Sequence, residues 1–247
     1  MTTVISTSNQ FLQESERTKD LITRIQHYLK IIRKQAKYSS SDEKPILTNP
    51  VFTETRKTLF QKEFVERLVI FLRGSGCLWV EQGGGCTFCG FYNATNFGKK
   101  IDDYDYIKQV QNAIDERLDT LSNYPVISLY NDGSMLSEKE ISFSAFLKIL
   151  EKLNKITSLK KITIESRIGD ITDEKIRKIH ESTDKKFEIA FGFESANPLI
   201  RKICVNKNFT NSKVIEVCDI LKKYKMDAVP LLMMKPPFLS EKESIED

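Results

Sequence analysis

From residue 67 onward, short apolar runs alternate with longer stretches in which apolar residues recur at three- and four-residue steps. The pattern predicts strands over 67–73, 126–130, 161–165, 187–192 and 227–235, with helices around 102–121, 138–154, 172–182 and 211–224 between them. Alternating β and α of these lengths predicts βαβ units and a parallel sheet, open or rolled into a barrel. In either form, chemistry collects at the carboxyl ends of the strands. Upstream, Leu21, Ile22, Ile25, Leu29 and Ile32 give residues 9–38 a helical period, and the polar run Tyr38-Ser-Ser-Ser-Ser-Asp-Glu-Lys-Pro45 reads as a linker. The expected organisation is an N-terminal amphipathic helix and linker over 1–50, the helix packed on the main domain, and an α/β core over 51–247. Ser240-Glu-Lys-Glu243 has the capping-box pattern that opens a helix, and the chain ends at Asp247, so the βα series is expected to be incomplete at its C-terminal end.

Polar residues gather at the predicted strand ends. A cysteine-bearing loop follows the first strand, Asn131-Asp132-Gly133-Ser134 the second, Glu165-Ser166-Arg167 the third, Glu194-Ser195 the fourth and Lys235-Pro-Pro-Phe238 the fifth. Each alone has a plain structural reading: Gly133-Ser134 suits a turn and Ser195 a helix N-cap. Five successive ends of this kind predict one rim around a polar ligand.

The cysteine loop reads Gly74-Ser-Gly-Cys77-Leu-Trp-Val-Glu-Gln-Gly-Gly-Gly-Cys86-Thr-Phe-Cys89. The only histidines, His27 and His180, lie far away in the chain. Structural zinc is closed by four protein ligands, so zinc here would need a remote fourth one, a reading that stays open. A disulfide framework fits poorly, because three thiols cannot all pair and the N-terminus lacks a secretory pattern. An iron–sulfur cluster with one position left for a non-protein ligand suits soft donors in an incomplete set. Cys204 and Cys218 lie among apolar residues and are expected to pack. Met233 and Met234 are expected in the core or a pocket wall, and His180, Lys99 and Lys100 at the surface.

Composition narrows this little. The 247 residues are 40% hydrophobic and 29% charged, ordinary for a globular protein, and no apolar run approaches a membrane span, so a cytoplasmic protein with no membrane role is expected. A net charge of +4 permits a nucleic-acid partner without arguing for one.

Taken in order, these motifs resemble the radical S-adenosylmethionine (SAM) enzymes, whose partial parallel (βα)6 barrel carries three cluster-binding cysteines after its first strand. The commonest family spacing is Cys-x3-Cys-x2-Cys, whereas this chain has Cys77-x8-Cys86-x2-Cys89. The stretched interval resembles the Elongator catalytic-subunit branch and the radical subunit of archaeosine synthase. The second is more similar, over Gly76-Cys77-Leu-Trp79, Gly85-Cys86-Thr-Phe-Cys89-Gly-Phe-Tyr92, Asp132-Gly-Ser-Met-Leu136, Ile164-Glu-Ser-Arg167, Gly192-Phe-Glu-Ser-Ala-Asn197, Asn206-Lys-Asn-Phe-Thr210 and Lys235-Pro-Pro-Phe-Leu-Ser-Glu241.

The resemblance implies that Cys77, Cys86 and Cys89 hold a 4Fe-4S cluster whose remaining iron takes S-adenosylmethionine. It implies that Phe88 borders the adenine, that Gly133 and Ser134 meet the methionine amino group, and that Glu165, Arg167, Glu194 and Ser195 contact its carboxylate and ribose. It further implies an enzyme that cleaves a carbon–nitrogen bond in tRNA carrying a lysine-modified 7-deazaguanine, leaving archaeosine. Its partners would be a lysine-transferring archaeosine synthase subunit and an electron donor. A radical enzyme acting on a small molecule or peptide, and a non-enzymatic zinc- or cluster-binding module, remain open on the residues alone.

Overall fold

The structure, a computed structural model, describes residues 16–39 and 45–247. Residues 9–15 of the expected first helix and 40–44 of the linker lie outside the described residues. Helix α1 (Glu16–Ser39) precedes a hairpin of β1 (Phe52–Phe60) and β2 (Glu63–Phe71), which leads into the short α2 (Leu78–Gly83). Four βα connections follow: α3 (Asp103–Asp115) to β3 (Val126–Tyr130), α4 (Phe143–Asn154) to β4 (Lys161–Glu165), α5 (Asp173–Ser182) to β5 (Lys186–Glu194), and α6 (Pro198–Ile203) with α7 (Asn211–Lys223) to β6 (Asp227–Leu232). Helix α8 (Glu241–Glu246) closes the series, opened by the capping box of Ser240 and Glu243.

The six strands form one open sheet in chain order, β1 and β6 being its edges. Strands β2 to β6 run parallel and β1 pairs antiparallel with β2. One face packs on the helices: Leu68, Ile70, Ile127, Leu129, Ile162, Ile164, Ile189 and Phe191 are fully buried with Val110, Phe146, Ile149, Ile176 and Leu221. Burying each such side chain contributes about 1.5–3 kcal/mol, so this layer fixes the register that aims every strand end the same way. The opposite face is polar in part: Lys161 pairs with Glu188, whose other oxygen accepts from Thr163 Oγ1 at 3.1 Å.

The antiparallel β1 is not legible in the hydrophobic pattern. Its sequence, Phe52-Thr-Glu-Thr-Arg-Lys-Thr-Leu-Phe60, lies at an exposed edge, and its two-residue turn, Gln61-Lys62, takes left-handed φ values of 52° and 71° without the Asn-Gly pair such a turn usually carries. Two expectations are corrected. Met234 is 95% exposed rather than packed, because β6 ends at Leu232. The N-cap of α6 is Asn197, whose side chain accepts from Leu199 N and Ile200 N, and not Ser195. Cys204 is buried, Cys218 packs against the core, and His180, Lys99 and Lys100 are exposed as expected. Among the described residues no helix is long and apolar enough to cross a membrane.

Candidate functional site

The cysteine loop begins one turn past β2. Cys77 sits at the N-cap of α2, and the helix ends on Gly84 and Gly85, both left-handed at φ 82° and 83°. Two successive glycines of this kind turn the chain back on itself, a conformation that costs other residues dearly. The long interval between the first two cysteines is therefore a short six-residue helix and its reversal. A turn at residues 204–206 holds this reversal from outside. Asn206 Nδ2 donates to Gly83 O (2.8 Å) and Gly85 O (2.7 Å), Trp79 Nε1 donates to Asn206 O (2.7 Å), and Thr87 Oγ1 donates to Cys204 O (2.5 Å).

Beside Cys77 lies a closed hydrogen-bonded knot. Glu140, 5% exposed, accepts from Leu78 N (2.8 Å), Ser134 N (2.6 Å) and the guanidinium of Arg167. Arg167 also pairs with Asp170 at 2.8 Å and donates to Cys77 Sγ at 3.4 Å. Gly133 comes so close to Glu140 that a Cβ would collide with its carboxylate, and that Cβ would lie 3.4 Å from Cys77 Cα. The Ser134 hydroxyl is engaged by Ser166 Oγ (2.9 Å) and Arg167 N (3.1 Å). Burial pushes the Glu140 carboxyl up, with Arg167 opposing.

Beside Cys86 the rim is acidic. Glu194, in a left-handed conformation at φ 65°, accepts from Lys207 Nζ at 2.6 Å. Glu165 faces the same lysine and has its carboxyl pushed up by burial, Lys207 opposing and Glu194 adding. Asp132 stands at the next strand end, between Glu165 and Arg73. Both of its oxygens are buried with no hydrogen-bond partner among the described residues, and burial followed by Glu165 raises its pKa to about 7.

The thiols belong to one electrostatic group. Burial pushes Cys86 up to about 12, with Lys207 pulling the other way and Cys89 and Cys77 adding to the rise. Cys77 is raised by burial and then by Glu140. Buried thiols of this kind need a bound cation before they give up their protons, and three sulfurs on one loop form a soft donor set suited to iron. Among the described residues no group of three or more His, Cys, Asp or Glu side chains is arranged to hold a metal ion as it stands, so the fit rests on the donor chemistry of three thiols carried by one loop.

Gly133, Ser134, Glu165, Arg167 and Glu194 thus flank the cysteine loop as their strand ends require. Ser195 stands apart: its hydroxyl bonds Asp247 Oδ1 (2.7 Å) and the backbone of Asn197. Phe88 is 43% exposed at the loop tip. Sequence reasoning missed Glu140, which looks like a surface acid in the first turn of the helix expected over 138–154, and Lys207, whose only signal was its place in the Asn206-Lys-Asn-Phe-Thr210 block. It also missed Asp132, hidden in a motif read for its glycine.

A parallel sheet with three cysteines on the loop after its first parallel strand defines a class, and this chain belongs to it: the Radical SAM superfamily, whose family model matches residues 83–246. Among curated relatives, archaeosine synthase subunit beta of Methanosarcina acetivorans is 30% identical over 207 residues, covering 83% of this chain and 58% of that protein. The subunit beta of Thermococcus kodakarensis is 28% identical over 183 residues, 73% of this chain and 55% of that one. An uncharacterised protein of Methanocaldococcus jannaschii is 34% identical over 183 residues, 73% of this chain and 49% of its own length. The chain therefore spans about half the length of the curated relatives it matches. A queuine lyase from Clostridium spiroforme, solved with SAM and queuine, superposes with a TM-score of 0.46 at 19% identity, covering 78% of this chain and 87% of that one.

Proposed function

We propose that this chain is the radical subunit of an archaeosine synthase: that Cys77, Cys86 and Cys89 hold a 4Fe-4S cluster, and that the enzyme cleaves a carbon–nitrogen bond in tRNA bearing a lysine-modified 7-deazaguanine. The observation that carries this reading is the grouping of three thiols between two sets of strand-end side chains, in a chain 30% identical to a named archaeosine synthase subunit beta. When bound, the cluster and SAM would supply one-electron cleavage of a sulfonium carbon–sulfur bond and the 5′-deoxyadenosyl radical this releases.

The chain's own residues position and shield. Glu140 and Arg167 fix the height of Cys77 and of the Gly133-Ser134 loop, whose backbone is then available to the methionine amino group. Arg167 is already committed to Glu140 and Asp170, whereas both oxygens of Asp132 have no partner among the described residues and would accept from ammonium or ribose hydroxyl groups, with Glu165 beside it. Lys207 offsets negative charge at Cys86 and Glu194. Phe88 offers an apolar edge for adenine. The companion subunit would supply lysine-modified tRNA, and a separate donor the electron.

Anaerobic loading with iron and sulfide, followed by absorption and electron paramagnetic resonance spectra with and without SAM, tests the cluster. Cys77→Ala, Cys86→Ala or Cys89→Ala should abolish it, and Cys204→Ala or Cys218→Ala should not. Stoichiometric zinc under iron loading, or cluster loss with Cys204→Ala, would overturn the ligand set. The substrate is tested by mass spectrometry of tRNA nucleosides after anaerobic reaction with the lysine-transferring subunit. SAM cleavage that leaves the modified nucleoside unchanged would sink that assignment.

A further inference from the structure

Helix α1 reaches the cysteine loop directly. Its Arg33 Nη2 donates to the carbonyls of both Cys86 (3.2 Å) and Cys89, the two ends of the Cys-x-x-Cys turn. One turn earlier, Leu29 is 8% exposed against Gly84, where an added Cβ would lie 2.7 Å from Leu29 Cβ and 3.0 Å from Gln26 O. Gln26 Nε2 donates to Asn206 Oδ1 at 3.2 Å, joining α1 to the turn that holds the loop from outside. Leu29, Arg33 and Gln26 stand at helical steps of three and four, so one stripe of α1 makes all three contacts. The helix is thus a strap across the loop, with the Arg33 guanidinium at the backbone of the cysteine pair.

Two physical effects follow. A guanidinium that donates to two carbonyls of one turn fixes the spacing of the sulfurs that turn carries, because its planar group holds a preset geometry. It also places a permanent positive charge against the backbone of both cysteines in a partly buried setting, where charges act more strongly than in water. A cluster that gains an electron becomes more negative, so a neighbouring cation favours its reduced form.

We infer that Arg33 is a positioning residue of the cluster site: it holds the Cys86–Cys89 turn in its ligating shape and raises the reduction potential of the cluster bound there. The inference rests on the reading of Cys77, Cys86 and Cys89 as cluster ligands.

The test uses the 247-residue chain with Arg33→Met and Arg33→Lys. Before iron is added, hydrogen–deuterium exchange over residues 83–90 should quicken in both variants, since neither retains the planar fork. After anaerobic loading, a redox titration followed by electron paramagnetic resonance separates the charge from the shape. At the wild-type midpoint, Arg33→Met should lower the reduced-to-oxidised ratio about tenfold, a shift of about 59 mV for one electron, while Arg33→Lys should recover most of it. A purely structural arginine would quicken exchange and leave the potential alone, which would overturn the electrostatic half. Wild-type exchange and potential in Arg33→Met would overturn the whole inference. A wild-type chain that takes up no cluster would sink the ligand assignment itself, a different failure from a loaded wild type matched by its variants.

Discussion

Beside Cys77, the buried carboxylate of Glu140 accepts from two backbone amides and Arg167, whereas the buried carboxylate of Asp132, on the same connection between β3 and α4, meets no donor at all among the described residues. Burial penalises both charges, and both carboxyls are pushed up. At Glu140 the cost is offset in part by charge-assisted hydrogen bonds; at Asp132 no hydrogen bond offsets it and only the charge of Arg73 opposes it. The first arrangement is complete without a ligand and serves as scaffold. The second becomes favourable only when something brings N–H or O–H donors, or a cation, to the free oxygens. On the function proposed above, the finished flank would hold the cysteines and its unpaired neighbour would receive the ligand.

Breaking the finished flank should have the largest effect. Glu140→Ala leaves Arg167 with Asp170 alone and two backbone amides without their acceptor, and is expected to cost about 3–5 kcal/mol, read as a fall in the urea midpoint at pH 8. A loss below about 1 kcal/mol would mean that the knot is not the scaffold of the loop. Lys207→Met tests the acidic flank at its paired end. It leaves Glu194 and Glu165 without their cation and should cost about 2–3 kcal/mol, with a smaller loss for Lys207→Arg.

The smallest effect, and of opposite sign, is expected at the unpaired end. The Asp132 carboxyl holds its proton more tightly folded than unfolded, its pKa moving from 3.8 to about 7. Its contribution to stability is therefore fully present below about pH 4 and lost as pH rises through about 7. Asp132→Asn should gain about 1–2 kcal/mol on the wild type at pH 8 and lose that advantage at pH 4. Glu140 and Glu165 are raised too and slope the same way, so the difference between the two unfolding curves is the quantity to follow. A difference that does not change between pH 4 and pH 8 would show that Asp132 is solvated or paired.

The strand ends were readable because a parallel sheet buried on one face repeats its apolar pattern, and register then sends every following polar residue to the same rim. The cysteine triad was readable because its ligands are local in sequence. The residues that hold the triad are not local: Arg33 lies 53 and 56 positions from the carbonyls it binds, and Asn206 lies 121 and 123 from its own. Glu140 reaches back 62 positions to Leu78 N. Neither period nor spacing encodes such pairings, since each arises only when the sheet has formed. The first helix shows the same divide. Its apolar stripe predicted packing on the domain, but nothing in the stripe said that Arg33 would land on the cysteines. The β1 hairpin was hidden for another reason, its turn adopting left-handed geometry with residues that rarely do so.

The span of these contacts also sets an order of assembly. Cys77, Cys86 and Cys89 leave the ribosome well before Cys204, Val205 and Asn206, whose groups bond Thr87, Gly83 and Gly85. At a synthesis rate of roughly 5–20 residues per second, the loop is exposed for on the order of ten seconds before its outer support exists. Throughout that interval α1 has already been made and the supporting turn has not. The loop therefore reaches its finished shape only after Asn206 and Lys207 have emerged and folded back, and the cell has a window in which three unshielded thiols must be kept reduced.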